Sequence, residues 1–174
     1  IETFNALDWW LTNCEFVDCR VGATNAAMGE YGGGHFHVYH SLFRNSTEAD
    51  MTMGHTSYFG IRFNTSIGSR AFVLATRPIG VISEGMFAGT GSGGWSPSDK
   101  WGGAITLQGN TVIDTLEPAA VRLFSHGPLC LLDNTFRMRA HVRTGPVVFA
   151  HTPIGPPELI AIGNTFTVDE PFDT

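Results

Sequence analysis

A four-residue phrase returns seven times along the chain and constrains its fold more than any other feature. The copies are Asn13-Cys14-Glu15-Phe16, His40-Ser41-Leu42-Phe43, Asn64-Thr65-Ser66-Ile67, Glu84-Gly85-Met86-Phe87, Gly109-Asn110-Thr111-Val112, Asp133-Asn134-Thr135-Phe136 and Gly163-Asn164-Thr165-Phe166. Each closes on a large apolar residue, and successive closing residues are 20 to 30 positions apart. A spacing that hovers near two dozen without being fixed fits coils of constant core joined by loops of variable length. A strict period would point instead to leucine-rich or ankyrin repeats, whose motifs are absent.

A short strand with period-two alternation precedes the phrase, as in Phe36-His37-Val38 and Ile105-Thr106-Leu107. In most coils a second strand precedes that one, at 71–76, 120–125 and 146–150. A single coil cannot bury its apolar face, but coils stacked at the ~4.8 Å strand spacing create a continuous core. No stretch sustains a helical period. The expectation is an all-β chain: a right-handed parallel β-helix, or solenoid, of about seven coils. Residues 1–174 read as one domain, open to being a fragment of a longer chain, since no Met or leader precedes Ile1-Glu2-Thr3-Phe4.

The small or amide residue two places before the closing apolar one (Cys14, Ser41, Thr65, Gly85, Asn110, Asn134, Asn164) reads as structural. Asparagine tolerates left-handed turns, and its amide can bond the equivalent residue one coil on. His40 shares the turn position of Asn13 and Asp133 and reads the same way.

Composition narrows the class further. Charged residues are 15% of the chain and glycine is plentiful (21), with a single lysine, Lys100, which suits short strands and tight turns. A net charge of −6 argues against nucleic acid as a partner. No apolar run approaches the ~20 residues of a membrane span, so no membrane partner is expected. Cys14, Cys19 and Cys130 are an odd count without a CxxC, so neither a disulfide framework nor a zinc knuckle is indicated.

Two groups of residues could carry chemistry. Aligning Met28-Gly29-Glu30 with Met53-Gly54-His55 and continuing coil by coil gives a column of Glu30, His55, Arg77, Lys100, His126 and His151. Such a column along a parallel sheet would line a groove for an extended polymer. The second group is the segment Gly32-Gly33-Gly34-His35-Phe36-His37-Val38-Tyr39-His40. With Phe36 and Val38 inward, His35, His37 and Tyr39 point outward together, flanked by Trp10 one coil before and Arg62 one coil after. Trp95 and Trp101, in the glycine-rich stretch 89–103, suit a loop over a ligand.

An indole that covers the C–H face of a sugar, imidazoles, a phenol and guanidinium groups suit a polysaccharide. His37 or Tyr39 would handle the proton, His55 would assist, and Arg62 and Arg77 would neutralise a carboxylate. The remaining binding residues would be Trp10, Glu30, His35, Trp95, Lys100, Trp101, His126 and His151. This set favours β-elimination on a uronate over hydrolysis, for which the only nearby acid pairs are Glu30 with Asp8 or Asp50. No cofactor is expected. A divalent metal on His35 and His37 would need a third ligand, from His55 or Glu30, and no clear ligand set is visible.

The phrases ending at Val112, Phe136 and Phe166 resemble the coil turns of the pectate-lyase-like parallel β-helix superfamily. That resemblance covers nearly the whole chain but specifies a fold rather than a reaction. It implies a carbohydrate-active protein, secreted or at the cell surface. The superfamily holds polysaccharide lyases, glycoside hydrolases, epimerases, phage tailspikes and adhesins, so a glycoside hydrolase or a non-catalytic rod is the alternative. Neither end of the chain reads as a capping helix, so a homo-oligomer or further flanking coils would cover the open edges.

Overall fold

A computed structural model of the chain describes residues 1, 8–24, 35–52, 58–75, 104–117, 119–124, 129–139, 145–151 and 159–169. Among them there are strands and turns but no helix. The first coil runs through β1 (Asp8–Thr12), β2 (Glu15–Val17) and β3 (Val21–Thr24). The second holds β4 (His35–Tyr39), β5 (Leu42–Arg44) and β6 (Ala49–Thr52), and the third β7 (Tyr58–Arg62), β8 (Thr65–Ile67) and β9 (Val73–Ala75). The fourth holds β10 (Ala104–Gln108), β11 (Thr111–Ile113) and β12 (Val121–Phe124). The fifth holds β13 (Leu129–Leu132), β14 (Thr135–Arg139) and β15 (Val148–His151), and β16 (Leu159–Ile162) and β17 (Thr165–Asp169) begin a sixth.

Every strand pairs in parallel with its counterpart one coil away, giving three sheets: β1-β4-β7-β10-β13-β16, β2-β5-β8-β11-β14-β17 and β3-β6-β9-β12-β15. The protein is a parallel β-solenoid. Period-two alternation sends one set of side chains into its interior. Phe36, Phe59 and Ile105 form one buried column of the first sheet, with Val38, Ile61 and Leu107 beside it. In the second sheet Phe16 stacks on Phe43 at 4.9 Å and Phe136 on Phe166 at 5.1 Å, ring separations set by the coil rise.

The coil count is lower than the phrase count. The third coil stacks directly on the fourth: β7 pairs with β10, β8 with β11 and β9 with β12. No coil lies between them, and the phrase Glu84-Gly85-Met86-Phe87 lies outside the described residues.

The polar ladder is present, with one slip of register. Its rungs are Cys14, Ser41, Asn64, Asn110, Asn134 and Asn164, so Asn64 takes the place expected for Thr65. The Nδ2 of Asn110 donates to the Oδ1 of Asn134 (2.9 Å) and to the Ile61 carbonyl (2.9 Å). Its Oδ1 accepts from both the backbone N–H and the Nδ2 of Asn64. Each buried amide is thus satisfied at both ends, as a polar group in a dry interior must be. The left-handed residue is the one before the rung: Asn13, His40, Phe63, Gly109, Asp133 and Gly163 all have positive φ. His40 accordingly holds the turn position assigned to it.

The same slip puts Ser66, rather than Ile67, into the aromatic column of the second sheet, level with Phe43 and Val112. The space is used by Asp50, fully buried in β6, whose carboxylate accepts from the Ser66 hydroxyl. Burial pushes the Asp50 carboxyl up to about 6, while the hydroxyls of Ser66, Ser69 and Ser46 oppose the shift. Gly22 faces this strand because an added Cβ would stand 2.9 Å from both the Asp50 carbonyl and the Phe43 ring.

Candidate functional site

The chemistry gathers on the outer face of the first sheet, in its first three coils. Parallel pairing sets Asp8 beside His35 and Tyr58, Trp10 beside His37 and Gly60, and Thr12 beside Tyr39 and Arg62. Phe36 and Val38 are buried inward, so His35, His37 and Tyr39 share the opposite face, as alternation requires. Arg62 lies level with Tyr39, two residues along from the flank of His37 where alternation alone had put it.

The contacts bind these residues into one surface. The Trp10 indole lies flat on the His37 ring, with centroids 4.0 Å apart and planes 17° apart. The imidazole is left 9% exposed by that cover, whereas Trp10 is 61% exposed and offers a broad apolar platform. His37 Nδ1 and the Tyr39 hydroxyl are 3.0 Å apart. Arg62 donates to the Tyr58 hydroxyl at 3.0 Å and sits over the Tyr39 ring, 5.7 Å from its centroid. Arg20, Arg44, Arg70, Arg137 and Arg139 each pair with a carboxylate, but Arg62 pairs with phenols. Its Nε is buried without an acceptor among the described residues.

Gly60 makes this crowding fit. A Cβ there would meet His37 Nδ1 at 3.0 Å and the Tyr39 hydroxyl and Tyr58 ring at 3.1 Å each. The neighbouring side chains fold over the gap its missing side chain leaves. Next to them, at the corner, His40 and Phe63 stack at 5.2 Å and 12°, both in left-handed backbone geometry. Phe63 is 49% exposed and continues the aromatic surface beyond Arg62.

The electrostatics give the central pair definite forms. Burial, chiefly, and the neighbouring His35 hold the His37 pKa below its ordinary 6.5, and Arg62 adds to this, while Asp8 opposes it. Imidazole is therefore the neutral form at neutral pH. Burial raises the Tyr39 pKa above 10.0 against the pull of Arg62, so its phenol keeps its proton. Asp8 Oδ1 lies 2.8 Å from His35 Nδ1, and both side chains are largely exposed.

Of the residues singled out in the sequence, the structure brings together Trp10, His35, His37, Tyr39 and Arg62. Glu30, His55, Arg77, Trp95, Lys100, Trp101 and His126 lie outside the described residues, as does the side chain of His151. The backbone bears on one step of the column: His151 is level with Phe124 of the preceding coil. In sequence, Arg77 and Lys100 both fall between β9 and β10. Asp50 cannot supply half of a carboxylate pair, because it is sealed inside the core.

Three members of the site were missed from sequence: Tyr58, Gly60 and Asp8 in its place beside His35. The signal was available for each, since the offsets that align Phe36 with Trp9 and Phe59 also align these residues. A separate pocket of about 290 Å³, lined by Glu48, Arg70, Leu74, Glu117 and Arg122 among others, holds mutually paired charges such as Arg70 with Glu117. No protein-family model, curated protein or solved structure matches this chain.

Proposed function

We propose that this solenoid is a carbohydrate-active protein that cleaves a uronate-containing polysaccharide by β-elimination across the outer face of its first sheet. The observation that carries the reading is the convergence of Trp10, His37, Tyr39 and Arg62 on one surface. A sugar ring stacks on the exposed indole, and Arg62 neutralises the uronate carboxylate, which makes the adjacent C5 proton more acidic. Neutral His37 takes that proton, the C5–H electrons form the C4=C5 double bond, and the C4–O bond breaks. The Tyr39 phenol protonates the departing oxygen, and the His37–Tyr39 hydrogen bond returns the proton to the phenolate. The resemblance of the coil turns to the pectate-lyase-like superfamily supports the same substrate class, and with it a secreted or cell-surface setting.

Hydrolysis is less well supported, because Asp8 is the carboxylate at this face among the described residues and it is engaged by His35. A non-catalytic rod of the tailspike or adhesin kind has one observation in its favour: the exposed Trp10 platform would hold a glycan without any proton transfer. The test is ultraviolet detection of the unsaturated product on alginate, pectate and glycosaminoglycans, run with and without a chelator. Product formed by the native chain and lost in His37→Ala and Arg62→Ala is expected. A flat trace on every uronate, with glycan binding retained, would establish the rod instead.

A further inference from the structure

We propose that Asp8, His35 and His37 form a binding site for a divalent transition-metal ion of the zinc, cobalt(II) or nickel class. Each offers one ligand atom, and these atoms lie within 4.8 Å of one another, the set with this geometry among the described residues. Sequence alone offered the His-x-His pair without a third ligand. Strand register supplies it, since Asp8 is the direct partner of His35 on the neighbouring strand.

The arrangement follows from sheet geometry. His35 and His37 stand two apart on β4 and so project from the same face, and Asp8 projects beside them from β1. Ligands about 2.1 Å from a tetrahedral ion lie about 3.4 Å apart, so separations that reach up to 4.8 Å have to close by up to about 1.4 Å while the Asp8–His35 contact opens slightly. Asp8 and His35 are exposed enough to make that adjustment by side-chain rotation, and they already touch at 2.8 Å. Two imidazoles and one carboxylate suit borderline transition ions and suit calcium or magnesium poorly. With Nδ1–H of His37 donating to the Tyr39 hydroxyl 3.0 Å away, the other ring nitrogen is left unprotonated for the ion and the ring is fixed, the outer support that metal-binding histidines commonly have. The Trp10 indole stacked on His37 completes the cover on one side.

The site stands whether or not the chain cleaves glycans. Where it does, an ion on His37 excludes that ring from proton transfer, so occupancy and elimination compete for one residue.

The experiment is calorimetric titration of the full chain with zinc chloride, paralleled by the visible spectrum of the cobalt(II) form. One ion per chain is expected, with cobalt bands of low-coordinate intensity and quenching of Trp10 fluorescence. Asp8→Ala and His35→Ala each weaken binding roughly tenfold or more, and both should retain the native circular dichroism because these side chains are exposed. Trp10→Phe should keep the affinity and lose most of the quenching. Absence of binding up to about 1 mM, weaker than any useful site, overturns the proposal. Undiminished binding in both single variants overturns it too, because the ion would then sit elsewhere.

Discussion

The first sheet has one inner face of a single character, while its outer face divides into two unlike halves. In its first three coils the outward residues include Asp8, Trp10, His35, His37, Tyr39, Tyr58 and Arg62, whereas in the last three they include Thr106, Gln108, Cys130, Leu132, Ile160 and Ile162. The corners differ in parallel. The last three coils turn through Gly109, Asp133 and Gly163, residues at ease in left-handed geometry, while the second and third use His40 and Phe63. The inner columns continue through both halves. Fold is thus written inward along both halves, and among the described residues the outward face departs from what a solenoid needs in the first half. Residues retained there against local preference mark the surface that does something else.

Paired substitutions sharpen the contrast. His37 and Thr106 share one outward column, separated by Gly60. His37→Ala should lower elimination by about 10² to 10⁴-fold, while Thr106→Ala should leave initial rates within about twofold. The ladder should ignore the division. Asn110→Ala deprives the Asn64 donors of their acceptor and should cost about 3 kcal/mol in urea unfolding. An equally large loss of activity relative to stability in that variant would break the distinction between fold and face.

Asp50 gives a pH signature inside the core. Its pKa is raised from 3.8 to about 6, so the folded state holds a proton that the unfolded chain releases. Its contribution is fully present below about pH 4 and is lost as pH rises to about 6, an effect of about 3 kcal/mol. Asp50→Asn should remove that slope and raise stability near pH 7 by about 2 kcal/mol. Unfolding curves at pH 4 and 7 decide it, and an unchanged slope would contradict the assignment.

Smaller effects probe the crowded surface. Thr106 shows that this column accepts a side chain in the next coil, yet Gly60→Ala presses on His37, Tyr39 and Tyr58. It should reduce the elimination rate about tenfold with little change in melting temperature. Phe63→Gly relieves left-handed strain and should gain about 1 kcal/mol of stability, while weakening glycan binding. Loss of both stability and binding would show that the His40 stack outweighs the strain.

The fold was legible because the repeat reports the inward columns and the turns directly. The ladder slip at Asn64 was not, since Asn64-Thr65-Ser66-Ile67 presents an apolar Ile67 where alternation wants one, and only the distant Asp50 explains a buried Ser66. Likewise Glu84-Gly85-Met86-Phe87 spells a coil locally, but the hydrogen bond from the Asn64 amide to the Asn110 amide, between residues 46 positions apart, passes it by. Of the site, the outward trio on β4 and the Trp10 stack followed from alternation. Tyr58, Gly60 and the Asp8 pairing demanded the register of three coils at once.

That direct junction of the third coil with the fourth has a consequence for how such a chain can change. The third and fourth coils adjoin although residues 76–103 separate β9 from β10 in sequence, so the height of the solenoid is independent of how much polypeptide joins them. Closing such a connection costs an entropy that grows only with the logarithm of its length. The corner therefore works as a port. Sequence can be inserted, trimmed or exchanged there, one coil away from His37, while every rung above and below keeps its neighbour.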